Sequence, residues 1–134
     1  MHIYKRVYET CHRHLMNWSE FEGLIRQGVA RREDDATDSE GSVAFTQRPL
    51  VKLFTPDAQA TWLLSELDPE EPELAFGLCD LGLGFLELGD VSIIELVKLR
   101  GPLGLPVEQD QHFTAKLSLW DYAQQARQHQ RTVA

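Results

Sequence analysis

The chain has 134 residues, 43% of them hydrophobic, which suits one domain that buries roughly two-thirds of its unfolded surface without needing disulfide or metal staples. No apolar window approaches the ~20 residues of a bilayer-crossing helix, and residues 1–10 lack the apolar stretch of a secretory signal, so a cytoplasmic, membrane-free protein is expected. A net charge of -8 disfavours direct contact with nucleic acid or an anionic membrane, and Cys11 and Cys79, the only cysteines, are expected to be reduced.

Tyr4, Tyr8, Cys11 and Leu15 recur at helical spacing and predict an amphipathic N-terminal helix. Ser19-Glu20-Phe21-Glu22 has the form of a capping box, with Phe21, Leu24 and Ile25 on one face and Gly28 as a stop, so a second short helix follows. Residues 31–42 carry no large apolar side chain and no periodicity, which predicts an exposed loop or linker.

From Pro49 onward the pattern changes to short apolar runs of strand length: 50–54, 61–67, 74–81 and 85–88. The connections, such as Gly82-Leu83-Gly84, are too short for parallel crossovers, so the runs predict an antiparallel meander in which Gly77, Gly82, Gly84 and Gly89 allow bulges and bends.

Ser92-Ile93-Ile94-Glu95 is another capping box, and Arg100-Gly101-Pro102 reads as the end of a two-turn helix. A further strand is predicted within 107–114. Ser118 then opens a last helix with Leu119, Tyr122, Ala123 and Ala126 on its buried side. The expected fold is α+β, an antiparallel sheet of four to five strands packed by short helices, with an N-terminal helical extension. Its divisions are a helical segment over 1–30, an acidic linker over 31–48, a core domain over 49–126 and a mobile tail over 127–134.

Several of these segments together resemble a known family. Val51-Lys52-Leu53-Phe54-Thr55-Pro56, residues 61–69 (Thr-Trp-Leu-Leu-Ser-Glu-Leu-Asp-Pro), residues 76–82 (Phe-Gly-Leu-Cys-Asp-Leu-Gly), Glu87-Leu88-Gly89, the turn over 100–106 and Asp110-Gln111-His112-Phe113 carry the likeness. They resemble a bacterial domain of unknown function common on plasmids and other mobile elements, over roughly residues 50–123. Leu86 departs from the family's usual Pro, and residues 1–17 look like an addition ahead of its usual start. The resemblance implies no particular activity, but it points toward plasmid maintenance or the countering of host defence.

Charge is unevenly distributed. Between Lys52 and Lys98 there is no Lys or Arg, while ten carboxylates fall there. Eight of them, Glu66, Asp68, Glu70, Glu71, Glu73, Asp80, Glu87 and Asp90, form the candidate binding surface. Gathered on one open face they would attract a basic or nucleic-acid-binding host protein; the plain alternative is a solvated face that aids solubility. Carboxylates on alternate strand positions recur every ~6.6 Å, near a phosphate repeat, so a narrower reading is an anti-defence protein, anti-CRISPR or anti-restriction, that imitates nucleic acid.

Two other classes remain open. A small hydrolase or transferase could use Asp80, Glu87, Cys79 or His112, since paired carboxylates or a Cys-His couple can move protons or form a covalent intermediate. A homo-oligomer could pair N-terminal helices through Tyr4, Tyr8, Cys11 and Leu15. No metal site is expected, because Cys11-His12-Arg13-His14 lacks a second knuckle and residues 68–73 lack the order of a calcium loop. No glycine-rich nucleotide motif or nucleophile elbow is present, so no cofactor is expected. Trp62, Phe76, Phe85 and Trp120 are expected in the core.

Overall fold

The computed structural model describes residues 2–37, 46–82 and 86–129. In chain order the elements are α1 (His2–Thr10), a 3-10 turn (His12–His14), α2 (Trp18–Thr37), β1 (Val51–Phe54), β2 (Thr61–Leu67), β3 (Leu74–Asp80), β4 (Leu86–Ser92), α3 (Ile93–Lys98), β5 (Glu108–Gln109) and α4 (Leu119–His129). The strands form one open antiparallel sheet in the order β4-β3-β2-β1-β5. The α+β expectation holds.

Helix α2 departs most from the sequence reading. Its capping box sits two residues earlier than Ser19: Asn17 Oδ1 accepts the Glu20 N–H and Glu20 Oε1 accepts the Asn17 N–H, both at 2.8 Å. Gly28 does not end the helix. A Cβ there would lie 1.9 Å from the Leu67 carbonyl oxygen, so the glycine serves a close approach between α2 and the end of β2. The helix continues to Thr37, which makes residues 31–37 helical instead of looped and carries α2 across the boundary expected at residue 30. Residues 38–45 of the expected linker, and the expected tail beyond 129, lie outside the described residues.

Central strand β2 is buried at all but its first position because it is covered on both faces. On one face Val51, Leu53, Trp62, Leu64 and Ala75 meet Leu15, Phe21, Leu24 and Ile25 of the N-terminal helices and Ile93 and Leu96 of α3. On the other, Leu63 and Leu78 meet the α4 stripe Leu119, Tyr122, Ala123 and Ala126, as that helix's spacing predicted. Trp120, one position off the stripe, is 42% exposed with the Arg127 guanidinium 5.8 Å from its ring, so it is not a core residue. Phe85 lies outside the described residues.

The bulge falls at Ser65, not at a glycine: the β2–β3 register shifts between Leu64 and Glu66. The extra residue reverses side-chain parity. Leu67 therefore joins the core shared by Trp62 and Leu64, while Glu66 pairs with Phe76. Strand β4 runs past Gly89 to Ser92, and of the strand expected over 107–114 only Glu108–Gln109 pairs, with β1.

The α3 cap is as predicted, Ser92 Oγ accepting the Glu95 N–H at 3.2 Å. Its end differs: Leu99 is extended, and Arg100 donates to the carbonyls of Val97 and Leu99 at 3.0 and 2.8 Å. Gly101 has another purpose, described below. The N-terminal helices are integral to the fold: Tyr4 and Tyr8 donate to the carbonyls of Pro69 and Met16, and both rings pack edge-on to Phe21. Leu15 is 2% exposed. Of the stripe expected to pair two copies of the chain, Leu15 is thus in the core, while Tyr4, Tyr8 and Cys11 are half-buried against it.

Candidate functional site

The eight candidate carboxylates do not share one surface. Glu66 is buried and bonded by Arg31 at 2.9 Å, with the Arg31 guanidinium also 4.8 Å over the Phe76 ring. Asp68 accepts the N–H groups of Glu70 and Glu71 and a 2.6 Å bond from Arg32, which also pairs with Glu70 at 3.2 Å. Burial works to raise the Asp68 pKa, but those backbone N–H groups and the Arg32 charge outweigh it and hold the carboxyl below its ordinary value. The two arginines that neutralise this group stand in the part of α2 that the sequence reading assigned to a loop.

Asp80 is buried, with Oδ1 accepting the N–H of Gly82, a residue at φ +77° that closes the turn after β3. Glu71 is exposed and Glu73 half-buried in the β2–β3 connection. Glu87 and Asp90 are exposed on edge strand β4, but they stand opposite Cys79 and Phe76 and so emerge on opposite faces of the sheet. A row of carboxylates at the phosphate repeat is therefore not formed on β4.

The proposed catalytic group is likewise dispersed. Asp80 and Glu87 pair with Leu86 and Cys79 respectively, so adjacent positions of β3 turn them to opposite faces. His112 follows β5 at the far edge of the sheet, three strand spacings or roughly 14 Å from β3, where Cys79 sits. Burial pushes the thiols of Cys79 and Cys11 above their ordinary pKa, opposite to what a nucleophile needs. Among the described residues no group of three or more His, Cys, Asp or Glu could hold a metal ion.

Sequence reasoning missed a mixed apolar and acidic face beside α3. Trp62, Cys79, Glu87, Glu95, Leu96 and Leu99 line a depression of about 280 Å³ between the sheet and that helix. Next to it the turn over 101–106 holds Leu103 80% exposed and Leu105 43% exposed. Asp57, from the β1–β2 connection, fixes this turn: its Oδ2 accepts the N–H groups of Leu103 at 2.7 Å and Leu105 at 3.3 Å. A Cβ on Gly101 would lie 1.7 Å from Asp57 Oδ1, so only glycine admits the carboxylate. The signal was present in the sequence as two leucines set between Gly101, Pro102, Gly104 and Pro106, a rigid turn with no reason of its own to expose apolar side chains.

An open antiparallel sheet with helices on both faces defines a small layered α+β domain. The chain belongs to DUF2958, a family of proteins of unknown function, whose model matches residues 15–133. The match takes in α2 as well as the sheet, a longer stretch than the motifs alone mark, and leaves α1 and the 3-10 turn ahead of it. No curated protein and no solved structure matches it. Among the described residues no helix is long and apolar enough to cross a membrane.

Proposed function

We propose that this protein is a non-enzymatic interaction module that docks a basic partner protein on the face formed by α3, the exposed side of β4 and the 101–106 turn. The observation that carries the reading is the fixed display of Leu103 and Leu105 by Asp57 on the turn that follows Leu99, which itself lines the depression holding the carboxylates Glu87 and Glu95. Exposed leucines on a rigid turn supply an apolar centre, and flanking carboxylates supply a charged rim, which is the anatomy of a protein interface. The chain's negative balance favours a basic partner and faster encounter with it. The narrower reading, imitation of nucleic acid by an anti-defence protein of a mobile element, asks for carboxylates at a phosphate repeat; with Glu87 and Asp90 on opposite faces, the support lies with the mixed face instead.

The test is retention of host proteins on the immobilised chain at low and high salt, with Leu103→Asp and the pair Glu87→Lys with Glu95→Lys as comparisons. The reading expects a basic protein held at low salt, weakened by salt and by the charge reversal, and lost with Leu103→Asp. Retention indifferent to all three, or of no basic protein, defeats it.

A further inference from the structure

A second depression, of about 1050 Å³, lies between the 3-10 turn and the start of α2 on one side and, on the other, Val97 of α3 and the segment from Arg100 to Gln111, so that it borders that face at Val97 and Pro106. This is the upper end of small-molecule sites, which run to roughly 1,000 Å³. Its floor includes Leu15, Met16 and Val107, each at most 5% exposed. Its walls include the exposed basic side chains of Arg13, His14 and Arg100.

In a chain of net charge -8, this cavity sets two arginines and a histidine against two carboxylates, Glu20 and Glu108, a less acidic balance than that of the chain as a whole. Among the described residues no carboxylate pairs with Arg13, His14 or Arg100. Of the two acids that line the cavity, Glu20 is already engaged, one oxygen accepting the Asn17 N–H and the other the Gln109 amide at 2.8 Å each. These donors are neutral, so Glu20 keeps its charge while its oxygens are turned to Asn17 and Gln109, and Glu108 is the second carboxylate set against the basic groups. Arg100 is held in place by its bonds to the carbonyls of Val97 and Leu99. A planar guanidinium fork suits phosphate oxygens, and an apolar floor suits the organic part of a phosphate ester.

We infer that this cavity binds an organic phosphate of nucleotide size, its phosphate held by Arg13 and Arg100 with His14 beside them and its organic group over Leu15, Met16 and Val107. The contacts are side chains from three segments, so no glycine-rich phosphate loop is involved and none is needed.

The experiment is calorimetric titration of the full chain at low salt with ADP, inorganic pyrophosphate and adenosine. Saturable binding of ADP, one per chain, with adenosine at least tenfold weaker, is expected. Arg13→Glu should weaken ADP and pyrophosphate at least tenfold, and Glu108→Gln should tighten both. That opposite sign separates a local charge effect from loss of fold, since a misfolded variant cannot bind better; both variants should melt as the parent does. Absence of saturable binding by ADP and pyrophosphate alike, or binding that ignores both substitutions, overturns the assignment.

Discussion

The α-carbon of Gly28 rests against the carbonyl oxygen of Leu67, so close that a methyl group placed there would sit 1.9 Å from that oxygen. Backbone cannot swing aside as a side-chain end can, and Gly28→Ala must lift α2 from β2. About 3 kcal/mol of destabilisation is expected, with Tm lowered by roughly 10 °C. Gly23→Ala is the matched control, because there the added Cβ meets the ends of side chains and no backbone, the Leu50 Cδ1 methyl at 2.9 Å, free to rotate, and Arg26 Nη2 at 3.7 Å. Relief of glycine's poor helix propensity, worth about 1 kcal/mol, should leave that variant as stable as the parent or more so. Urea unfolding of the two variants tests the contrast; equal losses would mean that Gly28 is not in contact.

Arg31 and Glu66 make the one ion pair in which the carboxylate is almost wholly buried among those described, with side-chain exposures of 35% and 4%. Removing the cation takes the Arg31 charge away from a buried carboxylate. A fully buried pair broken in this way loses about 3–5 kcal/mol, but Arg31 keeps some solvent, so roughly 2 kcal/mol is expected for Arg31→Met. Adding Glu66→Gln to that variant should restore part of the loss, because the buried charge that Arg31 faced is then gone. A double-mutant cycle in urea measures the coupling, and additive losses would deny it.

Acid should weaken the fold in two steps. His12 is fully buried, with Nε2 2.6 Å from the Pro72 carbonyl and its ring edge-on to Phe21. Burial lowers its pKa, against the opposing pull of the Pro72 and Val7 carbonyls and Glu73. The unfolded chain then takes up a proton below about pH 6.5 that the folded chain declines, so stability is complete above that pH and falls as pH drops toward the lowered folded value. Asp68 repeats the pattern lower down, its stabilisation present above about pH 4 and lost on further acidification. His12→Gln keeps a donor toward Pro72 and cannot titrate, so it should abolish the first step and leave the second. A parent whose urea midpoint is flat from pH 7.5 to 5 would contradict this.

The sheet and the short capped helices were legible because strand alternation, tight connections and capping serines are local signals. The electrostatics were not, and one glycine explains why. Read as a helix stop, Gly28 turned residues 31–37 into a loop and set Arg31 and Arg32 adrift from Glu66, Asp68 and Glu70. A glycine that ends a helix and one that admits a neighbouring carbonyl look alike in sequence, since both need only the missing Cβ. Gly101 misled in the same way, as a helix cap where the fold needs room for Asp57. The parity reversal at Ser65, which turns Glu66 toward Phe76, leaves no mark in composition at all.

Asp57 offers the sharpest test of the display that the proposed interface requires. Its carboxylate accepts two backbone N–H groups of a turn that is otherwise closed by the Gly101–Leu105 and Gly104–Gly101 backbone bonds and by the Arg100–Pro106 bridge. Asp57→Ala removes the acceptor for Leu103 and Leu105 and costs about 2 kcal/mol, within the range of bonds to charged groups. Hydrogen exchange at the Leu103 and Leu105 amides should accelerate well beyond the global change, while amides of β2 and β3 follow stability alone. Asp57→Asn keeps a carbonyl oxygen and should recover part of the protection. If the turn amides in Asp57→Ala exchange no faster than those of the sheet, the turn is rigid without the carboxylate, and the leucines owe their display to the Gly-Pro backbone instead.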